Sequence, residues 1–233
     1  ANHILGFGQM SLAKFLFIAA EEDNKDLNID DEQVFLTHIL ERVHWERDLH
    51  FYTNTSIDTL DYSSEGLNSG SKVVVAAAGN KCRVLADHFE TENPLPQGIS
   101  KVKLVAPGIL ALSCSAFETY EKAHLEMKKW AEELKLFLGE KVNSLPLLVM
   151  TDDADFVAET YNNFLWSTFT RANPSHDIYG IDSFIKFKHW GCKGSLLIDT
   201  RIKPHHAPPL LLDDEVEKKV DKLFSDHHIL KTL

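Results

Sequence analysis

Apolar runs that stop abruptly at acids organise this chain. Phe15-Leu16-Phe17-Ile18-Ala19-Ala20 ends at Glu21-Glu22-Asp23, and Leu147-Leu148-Val149-Met150 ends at Thr151-Asp152-Asp153. Short apolar runs with polar borders predict buried strands. Lys72 to Ala78 and Ser195 to Asp199 read the same way, and Leu49 to Tyr52 reads as a further strand. Between them the period lengthens. Val34, Phe35, Ile39, Leu40 and Val43 put one apolar face on a helix opened by Asp30-Asp31 and closed near basic Arg42, which suits the negative end of the helix dipole. Tyr120, Ala123, Met127, Trp130, Ala131, Leu134, Phe137 and Leu138 form a helical stripe within Phe117 to Leu138, with Gly139 as its C-terminal cap. A strand is expected around Val102 to Leu112, and a helix from about Val157 to Arg171 that stops at Asn173-Pro174. Past Lys203-Pro204-His205-His206-Ala207-Pro208-Pro209, which reads as a stiff extended linker, Asp213-Asp214-Glu215 start a tail helix with Val216, Val220, Leu223 and Phe224 on one face.

The pattern says nearly the same thing twice. Phe35 to His50 aligns without a gap on Phe164 to Tyr179, with Phe, Leu, Arg and Asp in register. Each block follows an acid-ended apolar run and precedes a Gly-x-Lys and another apolar run, Gly70-Ser71-Lys72 and Gly191-Cys192-Lys193. A period of about 130 residues is too long for a solenoid and suits two copies of one strand-helix-strand unit. The expected class is α/β, a mixed sheet flanked by helices and built from two related strand-helix-strand units, with a C-terminal tail helix. The expected division is a first unit over 1–80, a connecting segment over 81–100, a second unit over 101–203, and a proline linker with tail helix over 204–233.

Charge and composition narrow the partners. With 24 Lys+Arg against 35 Asp+Glu the formal net charge is -11, the wrong sign for a nucleic-acid surface. Three scattered cysteines, Cys82, Cys114 and Cys192, give neither a disulfide framework nor a zinc knuckle and fit a reducing cytoplasm. No apolar run approaches the roughly 20 residues of a membrane span. A chain opening on Ala1-Asn2-His3 reads as a piece of a longer polypeptide.

Candidate chemistry is sparse. Asp152, Asp153 and Asp155 follow a strand, where open α/β sheets bind ligands, and are either Mg²⁺ ligands or caps of the following helix. Arg42 with Asp48, and Arg171 with Asp177, are expected to pair across a helix end. Gly6-x-Gly8 lacks the third glycine of a dinucleotide loop and reads as a turn. His205-His206 and His227-His228 lack the neighbours of a metal site. Cys114, between Ser113 and Ser115, lies in no nucleophile pattern.

The repeated blocks also resemble a known family. Asp152-Asp153-Ala154-Asp155 followed by Thr170-Arg171-Ala172-Asn173-Pro174-Ser175-His176-Asp177 resembles the acid-rich strand end and Thr-Arg-x-x-Pro-x-x-Asp segment of UbiD-like carboxy-lyases. The first block resembles the same region, through Gly8-Gln9-Met10-Ser11-Leu12-Ala13-Lys14, Trp45-Glu46-Arg47-Asp48, Ile57-Asp58-Thr59-Leu60-Asp61 and Gly70-Ser71-Lys72. Two departures stand out: Ala76 replaces the Asp of the family's Asp-Ala-Thr, and Asp199-Thr200 sits at a different offset from Lys193. The resemblance implies a non-oxidative decarboxylase of aromatic or α,β-unsaturated acids using prenylated FMN, a divalent metal and potassium, all held mainly by a region upstream. It makes this chain the C-terminal oligomerisation and pocket-closing domain, inactive alone and binding no cofactor alone. Its partners would be its own N-terminal catalytic region and further copies, as a homodimer or higher homo-oligomer. Gln9 and Lys14 are the candidates to meet the cofactor, although a solvated surface lysine is the default reading of Lys14. Ser63, Ser64, Ser71 and Lys72 are the candidate substrate-pocket loop. The alternatives are a free-standing Mg²⁺-dependent phosphotransfer enzyme and a pure interaction module docking through the tail helix.

Overall fold

A computed structural model describes residues 1–64, 66, 69–208 and 213–224. The first helix α1 (Asn2–Gly6) leads through a 3-10 turn at Gln9–Leu12 into β1 (Phe15–Ala19). Then come α2 (Glu32–Leu40), β2 (Leu49–Thr55) and β3 (Gly70–Ala77). They form a three-stranded sheet ordered β1-β3-β2, with β1 parallel and β2 antiparallel to β3. Asp31 caps α2 by accepting from the Val34 amide at 2.9 Å, as an acid before an apolar-periodic run should.

Segment 81–100 has no regular element before β4 begins at its end, yet it is stitched down. Cys82 N–H donates to Glu41 O at 2.8 Å and Ala86 N–H to Ser144 O at 2.9 Å. The expected strand over Val102–Leu112 is a hairpin instead, β4 (Ile99–Ala106) and β5 (Ile109–Cys114). Gly108, at φ +80°, makes the turn in a conformation that side chains with a Cβ avoid.

Next are α3 (Tyr120–Leu138), β6 (Leu147–Thr151), α4 (Ala154–Glu159), α5 (Tyr161–Arg171) and α6 (Pro174–Asp177). The helix expected over Val157–Arg171 is broken at Thr160, which is extended and caps α5 by accepting from Asn163 N–H at 3.1 Å. Pro174, the expected stop, opens α6, where its missing N–H is not needed. Strands β7 (Ile178–Gly180), β8 (Ser183–Lys186), β9 (His189–Cys192) and β10 (Leu196–Asp199) follow, then α7 (Asp214–Leu223). The second sheet runs β4-β5-β6-β10-β7, with β5, β6 and β10 parallel and an antiparallel strand at each edge. β8 and β9 pair as a separate hairpin. The β6-β10-β7 portion has the same order and strand senses as β1-β3-β2.

Alternation along the five-stranded sheet separates two apolar clusters. Leu110, Leu112, Leu148, Met150 and Leu197 face Met127, Trp130 and Leu134 of α3. Ile109, Ala111, Leu147, Val149, Leu196 and Ile198 join Leu36, Ile39 and Leu40 of α2, Val73 and Val75 of β3, and Phe164 of α5. One core is thus built from both sheets. Trp45 adds a polar tie, donating from Nε1 to Pro146 O at 3.0 Å inside it. Among the described residues no helix is long and apolar enough to cross a membrane.

Candidate functional site

The three-stranded sheet meets the helix-rich half around Lys14, just before β1. Its ammonium reaches Asp61 at 2.9 Å, Ser63 Oγ at 2.8 Å and the Thr170 carbonyl at 2.9 Å. One side chain therefore joins the start of β1, the loop after β2 and the end of α5. Lys14 is not a solvated surface lysine: its side chain is 8 % exposed. Burial lowers its pKa, and Asp61 works against the shift. Asp61 also accepts from Ser63 N–H at 2.8 Å, so the loop is shaped around the carboxylate before the lysine meets it.

Ser71 makes a second join. Its hydroxyl bonds Asn173 Oδ1 and accepts from Ser175 N–H at 2.8 Å, tying β3 to α6. Lys72 points elsewhere, donating to the carbonyls of Ser11 and, at 2.6 Å, Ser56. It is buried, and burial lowers its pKa. Ser64 lies at the loop rim, its hydroxyl 3.1 Å from Gly66 O. Glu65, Leu67 and Asn68 of that loop lie outside the described residues. Gln9 is exposed on the 3-10 turn, where Gly8 at φ +62° sets the bend. Lys14 and Ser63 thus meet directly, Ser71 ties β3 to the segment just after α5, and Lys72 is committed to separate carbonyls.

The expected pairs of Arg42 with Asp48 and Arg171 with Asp177 do not form. Arg42 turns back to His38 O and Glu41, and Arg171 lies 3.8 Å from Asp152 and over the Trp166 ring. Asp48 instead accepts from His44 N–H at 2.8 Å, as Asp177 does from Asn173 N–H at 2.6 Å. Both carboxylates fold back on the residue four earlier because the turn before each strand leaves that amide free.

Asp177 also faces Lys203 at 3.3 Å, both essentially unexposed. Burial pushes the Asp177 carboxyl up to about 7, with Lys203 opposing. Arg201 is forked onto Asp199, at 2.9 and 2.7 Å, and reaches Glu126 at 2.8 Å. Burial alone would lower the Arg201 pKa, but the two carboxylates raise it. Lys203, the expected start of an extended linker, is buried because it answers Asp177, a pairing that residue spacing does not reveal.

Asp152, Asp153 and Asp155 diverge. Asp152 accepts from Ile202 N–H at 2.7 Å. Asp153 caps α4, accepting from the amides of Asp155 at 2.9 Å and Phe156 at 3.1 Å. Asp155 pairs with Lys101 and Lys103. The capping alternative holds for Asp153, and the Mg²⁺ set is not assembled. Among the described residues no group of His, Cys, Asp and Glu side chains could hold a metal ion. His205 and His206 sit edge to face, 5.0 Å apart, while His227-His228 lie outside the described residues.

Comparison with known proteins finds sequence relatives of this chain. Residues 1–77 match the model of the 3-octaprenyl-4-hydroxybenzoate carboxy-lyase C-terminal domain. A Chlamydia pneumoniae protein named as a subunit of 4-hydroxybenzoate decarboxylase is 29% identical over 225 residues, covering 95% of this chain and 35% of that protein. An uncharacterized protein of Chlamydia caviae is 30% identical over 224 residues, covering 96% and 36%. The chain therefore spans about a third of the length of the curated relatives it matches. Among solved structures, the open form of Sedimentibacter hydroxybenzoicus vanillic acid decarboxylase is 17% identical, covering 53% of this chain and 30% of that one, at a TM-score of 0.28. Residues 1–77 thus have the sequence character of a carboxy-lyase C-terminal domain, and the chain as a whole is similar to part of a protein named as a decarboxylase subunit.

Proposed function

We propose that this chain is the C-terminal oligomerisation and pocket-closing part of a UbiD-like decarboxylase acting non-oxidatively on an aromatic or α,β-unsaturated carboxylic acid. The observation that carries this reading is the family match over residues 1–77, the stretch in which Lys14 pins the loop through Asp61 and Ser63. A pinned loop is a wall, and a wall beside a site is what pocket closure needs.

Prenylated FMN, its divalent metal and potassium are assigned to the N-terminal catalytic region of the parent. The residues here do not fit them well. The ammonium of Lys14 already meets three partners inside the chain, so a cofactor phosphate would have to displace one of them. Exposed Gln9 and the rim residue Ser64 are the groups we assign to face the cofactor or substrate. Lys14 and Ser71 hold the scaffold behind them.

The tail helix supports the oligomerisation part. Val216, Val220, Leu223 and Phe224 are all more than a third exposed, an apolar stripe that finds no cover among the described residues. Removal of residues 209–233 should leave a folded protein of lower oligomeric order, read by light scattering.

The test of the reading is to co-produce the full-length parent with a flavin prenyltransferase, and this chain likewise, and to record intact mass and flavin absorbance of both. A prenylated flavin on the parent alone supports the assignment. Tight flavin binding by this chain would move the cofactor site here and overturn it.

A further inference from the structure

The β8–β9 hairpin carries residues that its own fold does not use. β8 and β9 pair as far as Lys186 and His189, which leaves Phe187 and Lys188 as a two-residue turn. Both have positive φ, 51° and 67°. Such turns favour Asn-Gly, because bulky side chains are strained there. The other non-glycine residues at positive φ are Asn54 and Asp182, types that tolerate that conformation. At the hairpin tip the sequence instead places a phenylalanine that is 93 % exposed, with Ile185 75 % exposed two residues before it. A turn that gives up stability to hold an aromatic ring in water calls for a partner that covers the ring.

The surroundings of the ring select the chemistry of that partner. Lys186 Nζ lies 5.7 Å from the ring centre, and Lys188 follows the ring. Both lysines are exposed, and neither is in an ion pair among the described residues. A cleft of 630 Å³ opens between the hairpin, β2 and the start of α6, with Phe51, Tyr52, Phe187 and Trp190 on its walls. Among its lining residues there is no Asp or Glu, and Lys188 is the one Lys or Arg. An aromatic cleft with a positive edge suits an apolar segment edged with acid.

The chain itself has such a segment. Residues four apart on a helix share a row. On α7, Val216, Val220 and Phe224 form an apolar row, each more than a third exposed. Asp213, Glu217 and Asp221, each three residues earlier, form an acidic row beside it. Asp213 is committed to the amides of Glu215 and Val216. Glu217 and Asp221 are in no ion pair among the described residues, and like charges one turn apart repel. Within one copy the hairpin tip and the α7 stripe both stand in solvent, so each is open to a second copy.

We propose that α7 of a second copy docks on the β8–β9 hairpin. Val216, Val220 and Phe224 cover Ile185 and Phe187, while Glu217 and Asp221 meet Lys186 and Lys188. The contact is reciprocal, as a two-fold dimer requires. It rests on the oligomerisation role given to α7 above and adds the surface that receives the helix.

Sedimentation velocity of the full chain over a concentration series tests this, and the expected result for the unaltered chain is a reversible dimer. Phe187→Asn with Lys188→Gly relaxes the turn and removes the ring. It should raise the melting temperature and weaken dimerisation about tenfold or more, as loss of a central aromatic anchor does. A chain with Lys186→Glu and Lys188→Glu, and another with Glu217→Lys and Asp221→Lys, should each be monomeric where the unaltered chain dimerises. Mixed, they should form a dimer, because each hairpin then faces an α7 of opposite charge. A mixture that does not associate, or a dimer unweakened by Phe187→Asn with Lys188→Gly, overturns the proposal. If removal of residues 209–233 still lowers the oligomeric order in that case, the oligomerisation role of the tail stands and its docking surface lies elsewhere. An unaltered chain that stays monomeric overturns both.

Discussion

Replacing Lys14 by methionine removes the ammonium while keeping most of the side chain's volume. The structure sets the scale. The pair with Asp61 at 2.9 Å has a gross attraction of about 6 kcal/mol at an effective dielectric of ~20. Against this stands the cost of burying the ammonium, which shows as the lowered Lys14 pKa. Hydrogen bonds to charged groups contribute about 1.5–3 kcal/mol net, so Lys14→Met should destabilise by about 2 kcal/mol. Asp61→Asn keeps an acceptor for Ser63 N–H and should cost less. The double variant should fall short of the sum by about 1–3 kcal/mol, because each single change already forfeits the shared contact. Urea unfolding of the four proteins gives the cycle, and hydrogen exchange over residues 57–64 reports the loop directly. Additive costs within about 0.5 kcal/mol, together with unchanged exchange in that loop, would refute the idea that Lys14 holds it.

Three further outcomes follow from individual contacts. Burial raises the Asp177 carboxyl to about 7, so between the unfolded value of about 4 and that point the native state keeps a proton the unfolded chain has released. Stability should therefore fall as pH rises from about 4 to about 7, and urea midpoints of Asp177→Asn should lack that contribution. Asp153→Ala removes the α4 cap and should cost about 1 kcal/mol in urea unfolding, while a rise in melting temperature with Mg²⁺ that Asp153→Asn abolished would restore the phosphotransfer reading. Gly191→Ala would set a Cβ 2.8 Å from Trp45 O and 3.0 Å from Glu46 Cα; since both contacts are main chain, about 1–3 kcal/mol should be lost in thermal or urea unfolding.

Sequence alone determined whatever depends on neighbours along the chain. Burial of Ala123, Met127, Trp130, Leu134, Phe137 and Leu138 on α3 follows from a 3.6-residue period, and the caps at Asp31 and Gly139 follow from local hydrogen bonding and backbone freedom. β3 and β10 are legible because a strand covered on both faces is apolar throughout. The short strands β7, β8 and β9 carry no such pattern: Ser183–Lys186 and His189–Cys192 are mixed in polarity and exist by pairing with each other. The hairpin at Gly108 is hidden because its two strands read as one apolar run.

At the site the boundary falls in the same place. Resemblance to family segments singles out Lys14, Ser63 and Ser71, but it is silent on what each touches. That Lys14 meets Thr170, that Ser71 meets Asn173 and Ser175, and that Lys203 meets Asp177 was decided by the packing of the first sheet and α2 against the second sheet in one apolar core. The Arg-Asp pairs expected along the sequence give way for the same reason. A charge near the surface can take any neighbour, whereas a charge carried inward must find whichever partner the packed core places within about 3 Å.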